Sequence, residues 1–450
     1  MIKIHGESAY FCRGNYLAAI ALLTDWIYTY LGGLDETRVW GADFLIKLLI
    51  ISFDAVGDHL FEELLRLKNF AAFAAQCTAA RGVSSVFLTN TYPVHASVAT
   101  GLSPGRHGVI SNTEPFPGAF PRWNYHARRL KAVPLWKAAH SAGLRSAAVL
   151  WPVTGGAKEI RYNLPELMVQ PGQSQLIENM REGSRFMQLR LWLRYGHLMN
   201  GLTQPDLDNF STACMLNILK SHRPELAFMH WTAYDTLCHK YGEESAVKEA
   251  LPALDKNLGL LLNAAGDGAS VILFSDHAQI DLKHEILPND ILVGMGLLKK
   301  APEKGYEEGA TYIECCGGSA FMHPGRAGFD MLKEIRRRIQ ELEGFERFLT
   351  TDELLECGRP ELPFGFCAKP GFSFEIFGKG EKGQHGYPRG YDNYGVFYMA
   401  RGQYVPQGRS VSGGSLLDIA PIAVRLLSDM GHRLIMPDIG AAREDFFGLH

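Results

Sequence analysis

Short, continuous apolar runs recur along this chain, with stretches of helical periodicity between them. Residues 44–53 read FLIKLLIISF, an unbroken apolar run of the kind found in a strand covered on both faces. Ranges 60–67 and 71–80 predict helices, 83–88 a second strand, and 98–102 part of a helix that Gly101 helps to end. A helix over 132–142, a strand over 145–150, a helix over 209–220, a strand over 226–230, a helix over 246–265 and a strand over 269–274 follow. Strands alternating with helices imply βαβ units and a parallel sheet, so the expected class is α/β. The rhythm changes after about residue 285. There, 311–322 predicts one strand, 329–342 an amphipathic helix, and 345–350 and 372–377 two more strands, before a final helix over 416–429.

Residues 16–31 form another apolar stretch, with Asn15 placed to cap a helix and Gly32 and Gly33 to end it. It falls short of the roughly 20 residues a membrane span needs, and Asp25 interrupts it. A packed surface helix is expected and no membrane span. A secretion signal or anchor is the alternative, with Lys3 and Arg13 in its favour and Glu7 against. The 450 residues are 46% hydrophobic and 21% charged, the composition of an ordinary globular protein. A formal net charge of -3 argues against a nucleic-acid polymer as partner, which calls for a basic surplus. Eight scattered cysteines without a CxxC pair fit reduced thiols, and from them a cytoplasmic location is expected.

Three carboxylates change the picture. Asp54 follows LLIISF, Asp235 follows LAFMHWTAY, and Asp276 follows VILFS. Ligands of open α/β sheets bind outside the carboxyl ends of the strands. Three carboxylates at one sheet edge repel one another unless a cation lies between them. Any single Asp there could be a helix cap, but histidines accompany two of the three. AYDTLCHKYG places Asp235 and His239 four residues apart, on one face of a helical turn. FSDHAQ sets His277 beside Asp276, and GQHGY holds His385 in a glycine-flanked loop. Zinc accepts this mixture of imidazole nitrogen and carboxylate oxygen. His222, His230 and His284 lie outside any such pattern and read as ordinary surface or core histidines.

The segment TNTYPVHASVATGLSPGRHG offers a nucleophile. Thr91 stands two residues before Pro93, which suits the first turn of a helix. Free N–H groups there favour a phosphate. A threonine hydroxyl is a weak nucleophile until a metal ion lowers its pKa. A pure capping role is the competing explanation for Thr91.

Taken together, these segments resemble the alkaline phosphatase superfamily, and within it the type I phosphodiesterase / nucleotide pyrophosphatase family. The order matches over about residues 46–430: a strand ending in Asp54, then TYPVH-x-S-x-x-TGL-x-P-x-x-HG, D-x-x-x-H, SDH and HGY. The resemblance implies a three-layer α/β/α sandwich with a mostly parallel central sheet. The catalytic core would span 44–297 and 381–450, with a small α+β cap at 298–380 and a helical extension at 1–43. It implies two zinc ions or other divalent metals, one held by Asp235, His239 and His385, the other by Asp54, Asp276 and His277 with Thr91 Oγ. The reaction implied is hydrolysis of a small phosphate ester, possibly a nucleotide, through a phospho-threonine. Tyr92 falls where family members carry an aromatic that stacks on a nucleobase, and Trp151 lies in LWPVTGG, similar to a WPG segment near the substrate.

One position departs. Relatives usually carry Asn three residues after the nucleophile, and here Val94 stands there. Losing such a donor weakens charge stabilisation by a few kcal/mol unless His95, Asn90 or a lysine replaces it. Tyr92, Val94, His95 and Trp151 are thus the expected substrate contacts. A sulfatase needs Cys or Ser where Thr91 stands. A phosphomonoesterase or phosphonate hydrolase on the same scaffold is the main alternative, and a catalytically silent metal-binding protein the second.

Overall fold

The computed structural model describes residues 46–114, 122–299 and 309–449. The expected helix over 16–31 and the extension over 1–43 lie outside the described residues. In chain order the strands are β1 (Leu48–Phe53), β2 (Thr78–Val83), β3 (Ser146–Val149), β4 (Ile160–Leu164), β5 (Leu226–Trp231) and β6 (Ser270–Ser275). Next come β7 (Ile280–Asp281), β8 (His284–Ile286), β9 (Tyr312–Cys316), β10 (Ser319–His323), β11 (Phe345–Phe348) and β12 (Gly365–Ala368). The last are β13 (Phe372–Phe374), β14 (Gly383–Gln384), β15 (Val396–Arg401) and β16 (Arg409–Ser412).

Eight of these strands make one sheet in the order β16-β2-β15-β6-β1-β5-β3-β4. All neighbours are parallel except β15, which runs against both β2 and β6. Side chains of a strand alternate between the faces, and both faces are covered. Leu49, Ile51 and Phe53 pack with Phe210, Met215, Leu254 and Leu258 of the helices Asp206–His222 and Glu243–Ala265. Leu48 and Ile50 pack with Val94, Trp136 and Ile422 of the helices Thr91–Thr100, Leu135–Ser141 and Ile419–Asp429. The result is the three-layer α/β/α arrangement.

Register sets the site. Phe53 of β1 lies opposite Ser275 of β6 and opposite Trp231 of β5. Asp54 and Asp276, the next residues on two parallel neighbours, therefore leave the sheet side by side. Asp235 belongs to the first turn of the helix Ala233–Tyr241 that follows β5.

A second sheet, β11-β12-β10-β9, is antiparallel and is backed by Ile335 and Ile339 of the helix Phe329–Gln340. The expected single strand over 311–322 is a hairpin instead, turned at Gly317 and Gly318. Gly317 has a φ of 72°, and a Cβ on it would collide with the His385 carbonyl. The Gly318 N–H donates to that same carbonyl at 2.8 Å, so the hairpin turn is fixed against the His385 loop.

The strand expected over 83–88 also moves. The pairing residues are Thr78–Val83, and the helix expected to run to residue 80 stops at Ala74. Thr78–Val83 reads TAARGV, a weak apolar signal, and is a strand because β15 and β16 pair with it on both sides. The more apolar Val86, Phe87 and Leu88 are buried beyond the sheet end.

Candidate active site

Thr91 is the first residue of its helix, after Asn90 as N-cap, and the Asn90 side chain makes no capping bond. Position and chemistry coincide: the first N–H groups of a helix lack intrahelical acceptors and face an anion favourably. Thr91 Oγ1 lies 3.4 Å from His277 Nε2. The same Nε2 lies 3.4 Å from Asp54 Oδ1 and 3.4 Å from Asp276 Oδ2. Asp54 Oδ1 and Asp276 Oδ2 are buried with no hydrogen-bond partner. Backbone bonds fix the Asp276 carboxylate, whose Oδ1 accepts from the N–H of Ala55 at 3.0 Å and of His277 at 2.8 Å.

Donor atoms about 3.4 Å apart are the edges of a tetrahedron with ligand bonds near 2.1 Å, as N and O ligands have around a metal ion. The orphaned carboxylate oxygens are the second sign of fit. Two buried charges of one sign are costly unless a counter-ion joins them. Burial, with the charges of Asp276 and Asp235, pushes the Asp54 carboxyl well above its ordinary range.

A second group gathers Asp235, His239 and His385, with ligating atoms within 4.8 Å of one another. The helical i,i+4 spacing brings Asp235 Oδ1 to 3.3 Å from His239 Nε2. His239 Nδ1 lies 3.5 Å from Glu381 Oε2, and Gln279 donates to Asp235 Oδ1. The His385 loop is anchored where β14 pairs with β7. Its Nδ1 lies 3.1 Å from both the Thr89 carbonyl and Asn90 Oδ1. Although burial raises it, the Asp235 carboxyl is held below its ordinary range by His239, His385 and His277. Burial keeps the His385 imidazole well below its usual value, toward the neutral form that binds a metal. The two groups adjoin, with the rings of His277 and His385 4.2 Å apart.

His95, His230 and Asp276 also have ligating atoms within 4.8 Å, but His95 is already engaged. Its Nδ1 lies 2.8 Å from the Thr91 carbonyl and its Nε2 3.0 Å from Ser52 Oγ. His230 is no ordinary core histidine: its Nε2 lies 3.1 Å from Asp54 Oδ2 and its Nδ1 2.8 Å from Glu166 Oε2. Against the lowering effect of burial, those two carboxylates raise its pKa well above the usual value. His230 thereby orients Asp54.

Both groups open onto a cavity of about 900 Å³. The four residues expected to touch substrate are not on its wall. Tyr92, Val94, His95 and Trp151 are all 0% exposed. Their faces of the helix and loop point into the packed layer, where the rings of Trp151 and His95 meet edge-on at 4.8 Å. Trp123 covers Tyr92 at 5.3 Å and itself lines the cavity. Asn112 lines it too, and its Oδ1 accepts from the Tyr92 N–H at 2.9 Å, leaving the amide NH2 as its donor side. Asn112, Trp123, Glu166, Glu314, Lys379 and Glu381 carried no periodic signal in the sequence. They reach the cavity from loops and from the second sheet.

The family model of type I phosphodiesterase / nucleotide pyrophosphatase matches residues 48–343. A bis(5'-adenosyl)-triphosphatase of Xenopus laevis is 25% identical over 252 residues, 53% of this chain and 48% of that protein. Human ectonucleotide pyrophosphatase/phosphodiesterase family member 1 is 25% identical over 212 residues, 44% of this chain and 20% of that one. Venom phosphodiesterase 2 of Crotalus adamanteus is 24% identical over 50% of this chain and 25% of its own length. The chain thus aligns with about half the length, or less, of these curated relatives. Among solved structures, murine ectonucleotide pyrophosphatase/phosphodiesterase 5 superposes with a TM-score of 0.63 and 18% identity, over 90% of this chain and 99% of that one.

These relatives overturn the expected cytoplasmic location. Their names are those of ecto-enzymes and of a venom enzyme, which act outside the cell. The cysteine argument fails for a physical reason. The seven cysteines among the described residues are free, but a chain with this much buried core needs no disulfides in any compartment. Among the described residues no helix is long and apolar enough to cross a membrane. The order of motifs, the doubly covered parallel sheet and the match over most of the chain agree, and the chain belongs to the type I phosphodiesterase / nucleotide pyrophosphatase family.

Proposed function

We propose that this protein hydrolyses phosphodiesters, with Thr91 as nucleophile, a phospho-threonine intermediate, and two zinc ions. Asp54, Asp276, His277 and Thr91 would hold one ion, and Asp235, His239 and His385 the other. The observation that carries the reading is the convergence of Thr91 Oγ1, Asp54 Oδ1 and Asp276 Oδ2 on His277 Nε2, each at 3.4 Å. Bound ions would lower the pKa of the Thr91 hydroxyl and neutralise charge on the phosphoryl group.

The remaining steps belong to the chain's own residues. The helix N-terminus and Asn112 receive the phosphoryl oxygens. Thr91 Oγ forms a bond to phosphorus as the bond to the leaving alkoxide breaks. Water then cleaves the phospho-threonine on the opposite course, so one water is consumed and one alcohol and one phosphomonoester are released. Asn112 takes the part that Val94 cannot play. The segment 298–380 acts as the cap, since Tyr312, Glu314 and Cys316 close one side of the cavity.

Two resemblances support the reading. One structural neighbour is an inactive threonine-to-alanine variant in complex with AMP, and one relative carries the name of a bis(5'-adenosyl)-triphosphatase. A cavity of about 900 Å³ beside the nucleophile favours a diester over a monoester, which has no second group to fill it. The test is a panel of bis-p-nitrophenyl phosphate, p-nitrophenyl thymidine monophosphate and p-nitrophenyl phosphate on zinc-loaded protein. Turnover of the diesters is expected to exceed that of the monoester. A metal-free protein with full activity would sink the mechanism.

A further inference from the structure

The helix Arg185–Tyr195 carries apolar side chains on two opposite sides. Met187, Leu191 and Tyr195 recur every four residues and pack on the core layer that holds Ile51 and Phe210. Gln188 is buried on the same side, and its Nε2 donates to the carbonyls of Asn163 at 3.0 Å and Asn179 at 2.8 Å. That side docks the helix on the body of the protein. Phe186, Leu189 and Leu193, spaced by three and four residues, share the opposite side. Phe186 is 80% exposed, Leu193 is 40% exposed, and Leu189 is half-buried. A surface helix needs one apolar stripe, turned to its core, so the second stripe marks a further contact.

Charge selects what covers it. Helical periodicity sets Arg190 and Arg194 along one flank of the outer stripe and Arg185 along the other, and all three are exposed. No Asp or Glu occurs between Glu182 and Asp206, in a chain whose net charge is -3. A second copy docked about a two-fold axis would set three arginines against three, with no carboxylate of this segment between them. A soluble polyanion would pair with the arginines and leave Phe186 and Leu193 in water. An anionic bilayer surface takes both, because guanidinium groups reach up to the headgroups while the apolar side chains enter the acyl boundary. The 11 residues of this helix span about 16 Å, which suits lying along a bilayer. Among the described residues no helix is long and apolar enough to cross one.

We propose that the outward side of the helix Arg185–Tyr195 docks this protein on an anionic lipid surface, with Phe186, Leu189 and Leu193 in the interface and Arg185, Arg190 and Arg194 on the headgroups. The docking is independent of the reaction at Thr91. The test is co-sedimentation of the full chain with vesicles of phosphatidylcholine alone and of phosphatidylcholine mixed with phosphatidylserine. Binding is expected on the mixed vesicles, is expected to be weak on pure phosphatidylcholine, and falls as salt rises. Arg185→Gln combined with Arg190→Gln is expected to weaken it by about fivefold per arginine. Phe186→Ser combined with Leu193→Ser is expected to weaken it by roughly tenfold or more. Leu193→Trp, at unchanged Tm, is expected to tighten it, because an indole ring favours the membrane interface. That gain separates loss of the docking side from loss of the fold. Failure to bind either vesicle overturns the proposal, as does equal binding to both. Binding that all three variants leave at the parental value overturns it as well. So does a concentration-dependent dimer, seen by analytical ultracentrifugation, that Phe186→Ser with Leu193→Ser dissociates, since a second copy then covers this side.

Discussion

Thr91 Oγ1 stands 3.4 Å from Nε2 of His277, a contact that joins the start of a helix to the carboxyl end of β6. Neither residue gains this relation from its neighbours in sequence. It follows from the register of β1 and β6 and from the entry of the Thr91 helix above them. Removing the hydroxyl leaves the rest of that group intact. Thr91→Ala is therefore expected to lower kcat by roughly 10³-fold or more while bound zinc, measured by atomic absorption, stays near the parent value. Thr91→Ser keeps the oxygen and is expected to retain a measurable part of the rate. An alanine variant with parental turnover removes the covalent step.

In the proposed reaction Asn112 is the donor that the helix lacks at Val94. Its Oδ1 is occupied by the Tyr92 N–H, which turns its NH2 into the free side. Loss of one such donor costs about 10²–10³ in kcat when it stabilises charge in the transition state. Asn112→Ala is expected to show that loss in steady-state assays on bis-p-nitrophenyl phosphate, with a smaller change in KM. Asn112→Asp sets a carboxylate beside the phosphoryl group and is expected to fare worse. If KM alone rises, Asn112 binds the ground state and the assignment fails.

These two residues show what the chain displays openly and what it hides. Asp54 and Asp276 were legible because each ends an unbroken buried apolar run, and the parallel register then sets them together. Asp235 and His239 were legible because helical spacing alone makes them neighbours. Asn112 was not: it sits in an irregular loop and matters through a bond to the backbone of Tyr92. Tyr92 and Trp151 were misread for a related reason. Residue type announces an aromatic surface, but only packing decides that both are fully buried. The strand shifted to Thr78–Val83 repeats the lesson, since its pairing with β15 and β16 comes from the far end of the chain.

Glu381 makes a test of the second group that spares its proposed ligands. It lies 3.5 Å from His239 Nδ1, the nitrogen turned away from Asp235, and accepts from Gln384 Nε2 at 2.8 Å. A carboxylate behind a metal-binding imidazole fixes the ring and raises its basicity, and its loss weakens metal affinity by about 10- to 100-fold. Glu381→Gln is expected to lower zinc affinity by that factor at one of two sites, read by competition with a chromogenic chelator. Stripping both ions is expected to lower Tm as well, because an ion that binds only the folded chain stabilises it. A protein whose Tm ignores chelator, and whose zinc content ignores Glu381→Gln, speaks against an ion between Asp235, His239 and His385.

The proposed cap is held by charge, and this gives it a pH dependence of its own. Arg359 is 1% exposed, and its Nη2 donates to Glu314 Oε1 at 2.6 Å while its Nη1 donates to the Ile110 carbonyl at 2.8 Å. Glu314 Oε2 lies 2.9 Å from His323 Nε2. Burial raises the Glu314 carboxyl, but Arg359 and His323 outweigh it and bring it from 4.5 down to about 2. A carboxyl depressed by folding stabilises the native state above its unfolded pKa, and that contribution fades as pH falls through the folded value. The contribution is therefore complete above about pH 4.5 and is lost between there and pH 2. Glu314→Gln leaves the Arg359 charge buried and unpaired, which costs about 3–5 kcal/mol. Denaturant unfolding at pH 7 is expected to show that loss, and the variant is expected to lack this part of the parent's decline toward pH 3. Adding Arg359→Met is expected to restore much of the loss, because well-packed apolar groups replace a buried pair at little cost. If Glu314→Gln unfolds at the parental denaturant concentration, the pair contributes nothing net, and the glycine contacts at the His385 loop hold the cap without it.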